Sequence, residues 1–510
     1  MKASRWCAVA AAAVALVGCV APPRQSERLT ERALPPASSG RLYDYDRQIE
    51  AELEAGQSAY WLLDQSRSAL DARLAITDAA VSTLDIQYFI WQQDATGSLL
   101  AAHVLAAADR GVKVRLLLDD LAVSVSSSDL LKLDSHPAIE VRLYNPWVSR
   151  RLLAGKAVEY LFHIRRLNHR MHNKTYIADG RFAIIGGRNI GDRYFGLYRR
   201  LVQSDLDALT AGPAASSIES SFDAYWNSAR SYPAAVLAKP SRAGSPLAAV
   251  RADIAKKVAE RSALLQSFPL KPADWDGYFR GLIGTFAAGQ TTLLYDPPDS
   301  GALSAPTLYP GFKAMVASAR REVLISSPYL VPDADFRKLL RDLVARGVRV
   351  EIVTNSLATN NHAIAHTGYK HWRRDLLADG VQLYELREHA ALRAEYVTPP
   401  ASATNLGLHT KAVVVDRRLV FVGSPNIDPR SMAINTEIGL VVRSDELARR
   451  LSAIVERDMA PENAWRVTLD AQGFLEWSSG ERVVHRQPAR GFAQRFFEFV
   501  LNLLPLKTQI

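Results

Sequence analysis

Residues 171–189 read Met171-His172-Asn173-Lys174-Thr175-Tyr176-Ile177-Ala178-Asp179-Gly180-Arg181-Phe182-Ala183-Ile184-Ile185-Gly186-Gly187-Arg188-Asn189. The chain repeats this pattern: His409-Thr410-Lys411, four residues, Asp416, and then Gly423-Ser424-Pro425-Asn426. A lone His-x-Lys means little. Two copies that agree in order, spacing and residue type point to an internal duplication. Each copy reads as strand, turn, strand, and Asp179-Gly180 is a strong two-residue hairpin signal. Asp416-Arg417 is a weaker one. A two-residue turn sets Lys174 opposite Ile185 and His172 opposite Gly187. His172 and Lys174, two apart on a strand, then share one face beside glycines that leave room for a ligand.

The duplication extends beyond the motif. Arg110-Gly111-Val112-Lys113-Val114 recurs as Arg346-Gly347-Val348-Arg349-Val350, and Val141-Arg142-Leu143-Tyr144 recurs as Val381-Gln382-Leu383-Tyr384. Apolar periodicity predicts helices over 66–80 and 97–110 and strands over 83–91 and 112–118. The second half repeats this with helices over 310–320 and 334–346 and strands over 322–327 and 348–354. Such alternation predicts α/β layers on a mixed sheet.

The residue types of the motif suit phosphate chemistry. A phosphodiester carries negative charge that shifts during displacement, so its site needs fixed cations and amide donors. Lys174, Lys411, Asn189 and Asn426 would supply them. A neutral imidazole is a nucleophile near pH 7, and a second, protonated one can act as general acid. His172 and His409 would divide these tasks, with neighbouring carboxylates holding their pKa values apart. Glu437, in Asn435-Thr436-Glu437, and either Asp205 or Asp207 are the candidates to hold the imidazoles by their second nitrogens. Asp205 and Asp207 share a strand face, so both stay open. Asp179 and Asp416 fall at turns, where an orienting role and a purely structural one are both open.

The 510 residues include 62 Lys and Arg against 53 Asp and Glu, a formal charge of +9. Such a surface favours anionic partners or merely aids solubility. The leader is more telling. Met1-Lys2-Ala3-Ser4-Arg5 precedes a short apolar run ending in Leu16-Val17-Gly18-Cys19. It resembles a bacterial lipoprotein signal, residues 1–18, cut before a Cys19 that then carries lipid. An uncleaved span would need about 20 apolar residues. Cys7 leaves with the leader, so no thiol remains for a disulfide or a zinc site. Residues 19–45, rich in Pro, Ser and Arg, read as a tether. The halves are expected at 46–270 and 271–510, the first with a helical connector.

With its two copies of His-x-Lys-x4-Asp and the Gly-(Gly/Ser)-x-Asn that follows each, the chain resembles the phospholipase D superfamily. Further similarity to the lipoprotein-like cardiolipin synthase branch lies in Asp85-Ile86-Gln87-Tyr88-Phe89-Ile90-Trp91, Ser327-Pro328-Tyr329, Asn435-Thr436-Glu437 and the residues after Asn426. The resemblance implies two α/β/α halves, each on a mixed, mostly parallel sheet, with the active site at their interface. It implies that His172 attacks phosphorus to form a phosphohistidine, that His409 protonates the leaving alcohol, and that no metal or cofactor takes part. The acceptor would be phosphatidylglycerol in a cardiolipin synthase and water in a phospholipase D. An exported nuclease and a non-enzymatic lipid-binding lipoprotein are further alternatives. The first lacks an arginine and aromatic nucleic-acid module to support it, and the second needs no paired imidazoles.

The implied partners are phospholipids and a membrane surface, without nucleic acid or an obligate protein. The expected location is the cell envelope, lipid-anchored at Cys19, on the periplasmic face of the outer membrane because Val20 is not Asp. His366 is either a headgroup contact or a satisfied surface or core histidine. The basic run from His163 to Arg170 either draws anionic lipid or is merely solvated. Residues 491–504 have an amphipathic pattern, read first as a helix packed on the fold and alternatively as an interfacial helix.

Overall fold

The computed structural model describes residues 30–120, 132–149, 153–237, 246–299, 306–360 and 363–502. Cys19 and the leader lie outside them. Among the described residues eighteen strands join in one sheet, and two more form a separate parallel pair. The sheet is symmetric in plan. In the first half, Ile139–Tyr144, Lys113–Asp119 and Thr83–Tyr88 run parallel. The motif hairpin, then Asp207–Ala211 and Gln57–Leu63, continue antiparallel. The second half repeats the order with Gln382–Leu386, Arg349–Asn355, Glu322–Ser326, the second hairpin, Ile438–Arg443 and Ala287–Tyr295. Gln57–Leu63 pairs antiparallel with Ala287–Tyr295, which joins the halves edge to edge.

The sheet is therefore mixed but not mostly parallel. Antiparallel pairings dominate in each half, because the motif hairpin and the two strands beyond it all pair that way. The expected helices and strands all form within a few residues of their predicted bounds. Helices Pro213–Trp226 and Asp445–Met459 contribute Phe222, Trp226, Leu451 and Val455 to a core that also takes Ile177 and Val414 from the two hairpins. One apolar body thus fixes the halves against each other.

The second repeat is structural. Gly111 and Gly347 end their helices at φ +95° and +84°, a left-handed conformation open to a residue without Cβ. Arg110 and Arg346 reach back to the carbonyls of Ala80 and Ala319. Each thereby ties the end of one helix to that of the preceding one.

Two expected boundaries move. Residues 30–45 are not free tether. Their N-terminal part runs antiparallel along Pro213–Trp226, with Glu31 N–H donating to Asn227 Oδ1 at 2.9 Å and Ala33 N–H to Asp223 Oδ2 at 2.8 Å. Arg41–Glu50 is a helix that buries Leu42, Tyr45 and Ile49. Pro, Ser and Arg content describes solubility and does not report burial against a neighbour. The first half also runs past 270, since Trp275 and Phe279 pack in its core. Strand Ala287–Tyr295 opens the second half.

Candidate active site

Each hairpin is built around its aspartate. The register pairs Thr175 with Ile185 and Ala178 with Phe182, one residue off the expected pairing. The loop therefore holds three residues, Asp179 to Arg181. Asp179 and Gly180 are left-handed at φ +56° and +64°, and Asp416 and Arg417 match them at +53° and +52°. Each aspartate stabilises this backbone by capping a strand entrance. Asp179 accepts from the N–H groups of Val81, Ser82 and Thr83 at 2.7–3.2 Å. Asp416 accepts from Arg320, Arg321 and Glu322 over the same range. Burial acts upward on Asp416, yet these N–H groups hold its carboxyl below the ordinary range. Asp179 lies seven residues from His172, about 23 Å along an extended strand. The motif aspartates thus sit at the far tips of the hairpins and pin them to the sheet; the structure does not place them with the histidines.

At the near ends the two halves cross. His172 Nδ1 lies 2.8 Å from Glu437 Oε2, 265 residues away. His409 Nδ1 lies 2.5 Å from Asp205 Oδ2, 204 residues away. Each imidazole is held by the other half's carboxylate. The backbone crosses too: His172 N–H donates to Thr436 O at 2.9 Å, and His409 N–H to Ser204 O at 2.7 Å. The separate parallel pair, Leu201–Ser204 with Asn405–Leu408, leads into the second contact. With Nδ1 engaged by a carboxylate, Nε2 is the nitrogen left for chemistry in both rings.

Asp207 does not share this role. Its carboxylate takes Arg73 Nη2 at 2.9 Å and the backbone N–H of Arg188 at 3.1 Å. Asp205 is the residue that reaches a histidine. Asp119 accepts from Met171 N–H at 3.0 Å and pairs with Arg170, steadying the chain entering His172. Lys174 and Lys411 donate to the carbonyls of their own His172 and His409. Lys411 Nζ also lies 3.1 Å from His409 Nδ1.

The centre is buried and cationic, and its pKa values follow. Burial, opposed by Glu437 and reinforced by Lys174 and Lys411, takes His172 down to about 4. Burial, then Lys411 and Lys174 against the pull of Asp205, takes His409 to about 4 as well. The lysine of each half thus acts on the imidazole of the other. Burial also lowers Lys174 to about 7 and Lys411 to about 8. Glu437 and Asp205 resist the upward pull of burial through the histidines and stay below the usual carboxylate range. The expectation that carboxylates hold the two imidazoles apart is not met. Both are driven the same way, because both share one desolvated, lysine-rich site. An anion bound between the lysines would oppose this and favour a proton on an imidazole.

The amides are fixed differently. Asn189 Oδ1 accepts from Ile90 N–H at 3.2 Å, which aims its NH₂ away from that strand. Asn426 Oδ1 is buried without a partner among the described residues. Sequence reasoning missed Tyr194, whose ring meets His409 edge-on at 5.2 Å, as Phe89 meets His172 at 5.1 Å. A signal existed. Tyr194 lies five residues after Asn189, as Ser431 lies five after Asn426, and Ser431 Oγ accepts from Asn426 N–H at 3.1 Å. Sequence reasoning also gave Ser424 no role, although its Oγ donates to Glu437 at 2.5 Å. His366 is a core residue, fully buried in Ala363–Ala378 against Tyr369. In the basic run, Arg166 pairs with Glu159 and Arg170 with Asp119.

The profile described as "Cardiolipin synthase, PLD-like domain" matches residues 74–226 and 312–459, one match over each half. The chain belongs to the cardiolipin synthase family of phospholipase D-like enzymes. Cardiolipin synthase C of Escherichia coli is 37% identical over 475 residues, covering 89% of this chain and 96% of that one. The cardiolipin synthase of Oceanobacillus iheyensis is 25% identical, covering 78% and 68%. The crystal structure of phosphatidylserine synthase from Haemophilus influenzae superposes with a TM-score of 0.56 at 14% identity, covering 84% of this chain and 93% of that chain. That likeness shows the fold. Each cardiolipin synthase match falls over a half that carries one His-x-Lys hairpin. Among the described residues no helix is long and apolar enough to cross a membrane.

Proposed function

We propose that this enzyme transfers a phosphatidyl group to phosphatidylglycerol and so makes cardiolipin. The crossed pairs His172–Glu437 and His409–Asp205 carry this reading, because two oriented imidazoles between two lysines are what a two-step displacement at phosphorus needs. The full-length similarity to a cardiolipin synthase supports the choice of acceptor.

The phosphodiester anion sits between Lys174 and Lys411, with Asn189 and Asn426 beside it. His172 Nε2 forms a bond to phosphorus as the bond to the headgroup oxygen breaks. The leaving oxygen takes a proton from His409 Nε2. The acceptor hydroxyl then gives its proton to His409 and attacks phosphorus, and the N–P bond breaks. Glu437 and Asp205 stabilise each imidazole as it gains positive charge. No step calls on a metal, since the lysines supply the charge a Lewis acid would bring.

The proposal includes location. Cys19 carries the lipid that holds the enzyme at the cell envelope, on the periplasmic face of the outer membrane. The apolar run ending in Gly18-Cys19 supports this reading, because it is shorter than a membrane span.

Mass spectrometry of lipids from vesicles of phosphatidylglycerol and phosphatidylethanolamine, incubated with the enzyme, tests the reaction. Cardiolipin should accumulate. Phosphatidic acid without cardiolipin would make the enzyme a hydrolase and overturn the reading.

A further inference from the structure

Helix Phe492–Asn502 sits on the body the wrong way round for a packed helix. At 100° per residue, Phe492, Phe496 and Val500 share one side while Gln494 and Glu498 lie opposite. The polar side faces the protein. Glu498 is 5% exposed and bonds Lys370 at 3.0 Å, and Gln494 Nε2 donates to Leu357 O at 2.6 Å. The apolar side faces out, with Phe492 81% and Phe496 57% exposed, and Phe497 on the flank between the two sides is exposed as well. Burial in the fold does not account for these rings.

Beside this helix lies a cleft of about 340 Å³ lined by Arg387, Arg482, Arg486, Arg495, His389 and Trp465. Glu388 is its one lining carboxylate. None of the four arginines forms an ion pair among the described residues. Arg387 and Arg482 both lie 5.2 Å from the Trp465 ring, which holds them close together. Burial and the charge of Arg482 depress Arg387 below the usual guanidinium value, so the cluster is short of negative charge. Arg495 belongs to the inverted helix itself.

The cleft lies at the same end of the sheet as the paired histidines, beyond strand Gln382–Leu386. Arg387 follows strand Gln382–Leu386 and Ala358 follows Arg349–Asn355, at the ends that carry the site. Asn355 bonds both backbone groups of Leu408, the residue before His409, at 2.8 and 2.9 Å.

We infer that this cleft binds the phosphate of an anionic phospholipid still in its bilayer, while Phe492, Phe496 and Phe497 enter the bilayer beside it. An arginine cluster recognises a phosphate diester by charge-assisted bonds. The outward aromatic face requires an apolar phase next to that phosphate, which a lipid surface supplies and a soluble phosphate does not. This rests on the proposed lipid substrate only in the choice of a bilayer. The site would hold the enzyme with its centre at the surface from which both lipids come.

The test uses full-length protein carrying Cys19→Ala, so that no N-terminal lipid contributes, in flotation with vesicles of phosphatidylcholine alone or with phosphatidylglycerol. The parent should bind the anionic vesicles more tightly. Arg482→Ala/Arg486→Ala should weaken that binding about tenfold or more and leave phosphatidylcholine binding unchanged. Phe492→Ser/Phe496→Ser should weaken binding to both. Unchanged binding of either variant to anionic vesicles overturns the inference. So does inorganic phosphate binding that calorimetry shows to be lost in the arginine variant while its vesicle binding persists, which would mark a soluble ligand. Turnover of a soluble monomeric phosphodiester should be equal in all three proteins. Its absence in the parent would count against the proposed function and leave the cleft standing.

Discussion

The two halves differ where they hold His172 and His409. The first motif ends Gly186-Gly187 and the second Gly423-Ser424. A Cβ on Gly187 would fall 2.2 Å from Asp205 Oδ1, so any side chain there must push that carboxylate aside. At the equivalent place Ser424 Oγ donates to Glu437 at 2.5 Å and accepts from Ile438 N–H at 3.0 Å. Glu437 is one methylene longer than Asp205 and receives this extra donor. Asp205 instead lies tight against glycine backbone and takes Leu206 N–H at 2.9 Å. The comparison teaches that duplication supplied two equal imidazoles and that the carboxylate environments then diverged. It also gives a physical basis for unequal roles of His172 and His409.

The largest effect should come from the histidines themselves. His172→Ala should abolish phosphatidyl transfer and trap no adduct. His409→Ala should lower transfer by about 10²–10⁴-fold, the worth of general acid–base help. On a p-nitrophenyl phosphodiester, whose leaving group needs little protonation, His409→Ala should recover adduct formation and His172→Ala should not. Mapping the phosphorylated peptide decides the matter; an adduct on His409 that persists in His172→Ala would reverse the roles.

A smaller effect should separate Gly187 from Ser424. Gly187→Ser puts a side chain into the Asp205 carboxylate, displaces it from His409, and should lower kcat by about 10²-fold. Ser424→Gly removes one hydrogen bond to Glu437, a loss of about 1 kcal/mol, and should lower kcat by about fivefold. Comparable losses from the two substitutions would show that the carboxylates are interchangeable and remove the proposed asymmetry.

The smallest effect concerns pH. His172 must be neutral to attack, so kcat/KM should fall below about pH 4 as that imidazole gains a proton. The lysines must be charged, and a lowered lysine pKa means charge is lost as pH rises. kcat/KM should therefore decline first near pH 7 with Lys174 and again near pH 8 with Lys411. The kcat profile should hold to higher pH, because bound phosphate keeps both lysines charged. A kcat/KM profile flat through pH 9 would show that the lysines are not desolvated in the free enzyme.

Much of this was legible in the sequence because it is local. The hairpins, the helix–strand alternation and the duplication follow from periodicity and from patterns that repeat within a few residues. Asp-Gly announced a turn, but not its length. The one-residue shift arises because Asp179 and Asp416 bond three N–H groups on another strand, a partner that spacing cannot reveal.

The sequence by itself determined which residue types the site needs, and that there are two sets of them. Only the tertiary structure decided that the carboxylates cross, that Asp205 serves and Asp207 does not, and that residues 30–45 pack on the body. It alone decided that the C-terminal helix turns its phenylalanines outward. Hydrophobic periodicity says that a helix has an apolar face and is silent on which way that face points. Contacts over 204 and 265 residues depend on how two halves dock, and that is set by a shared core built from both.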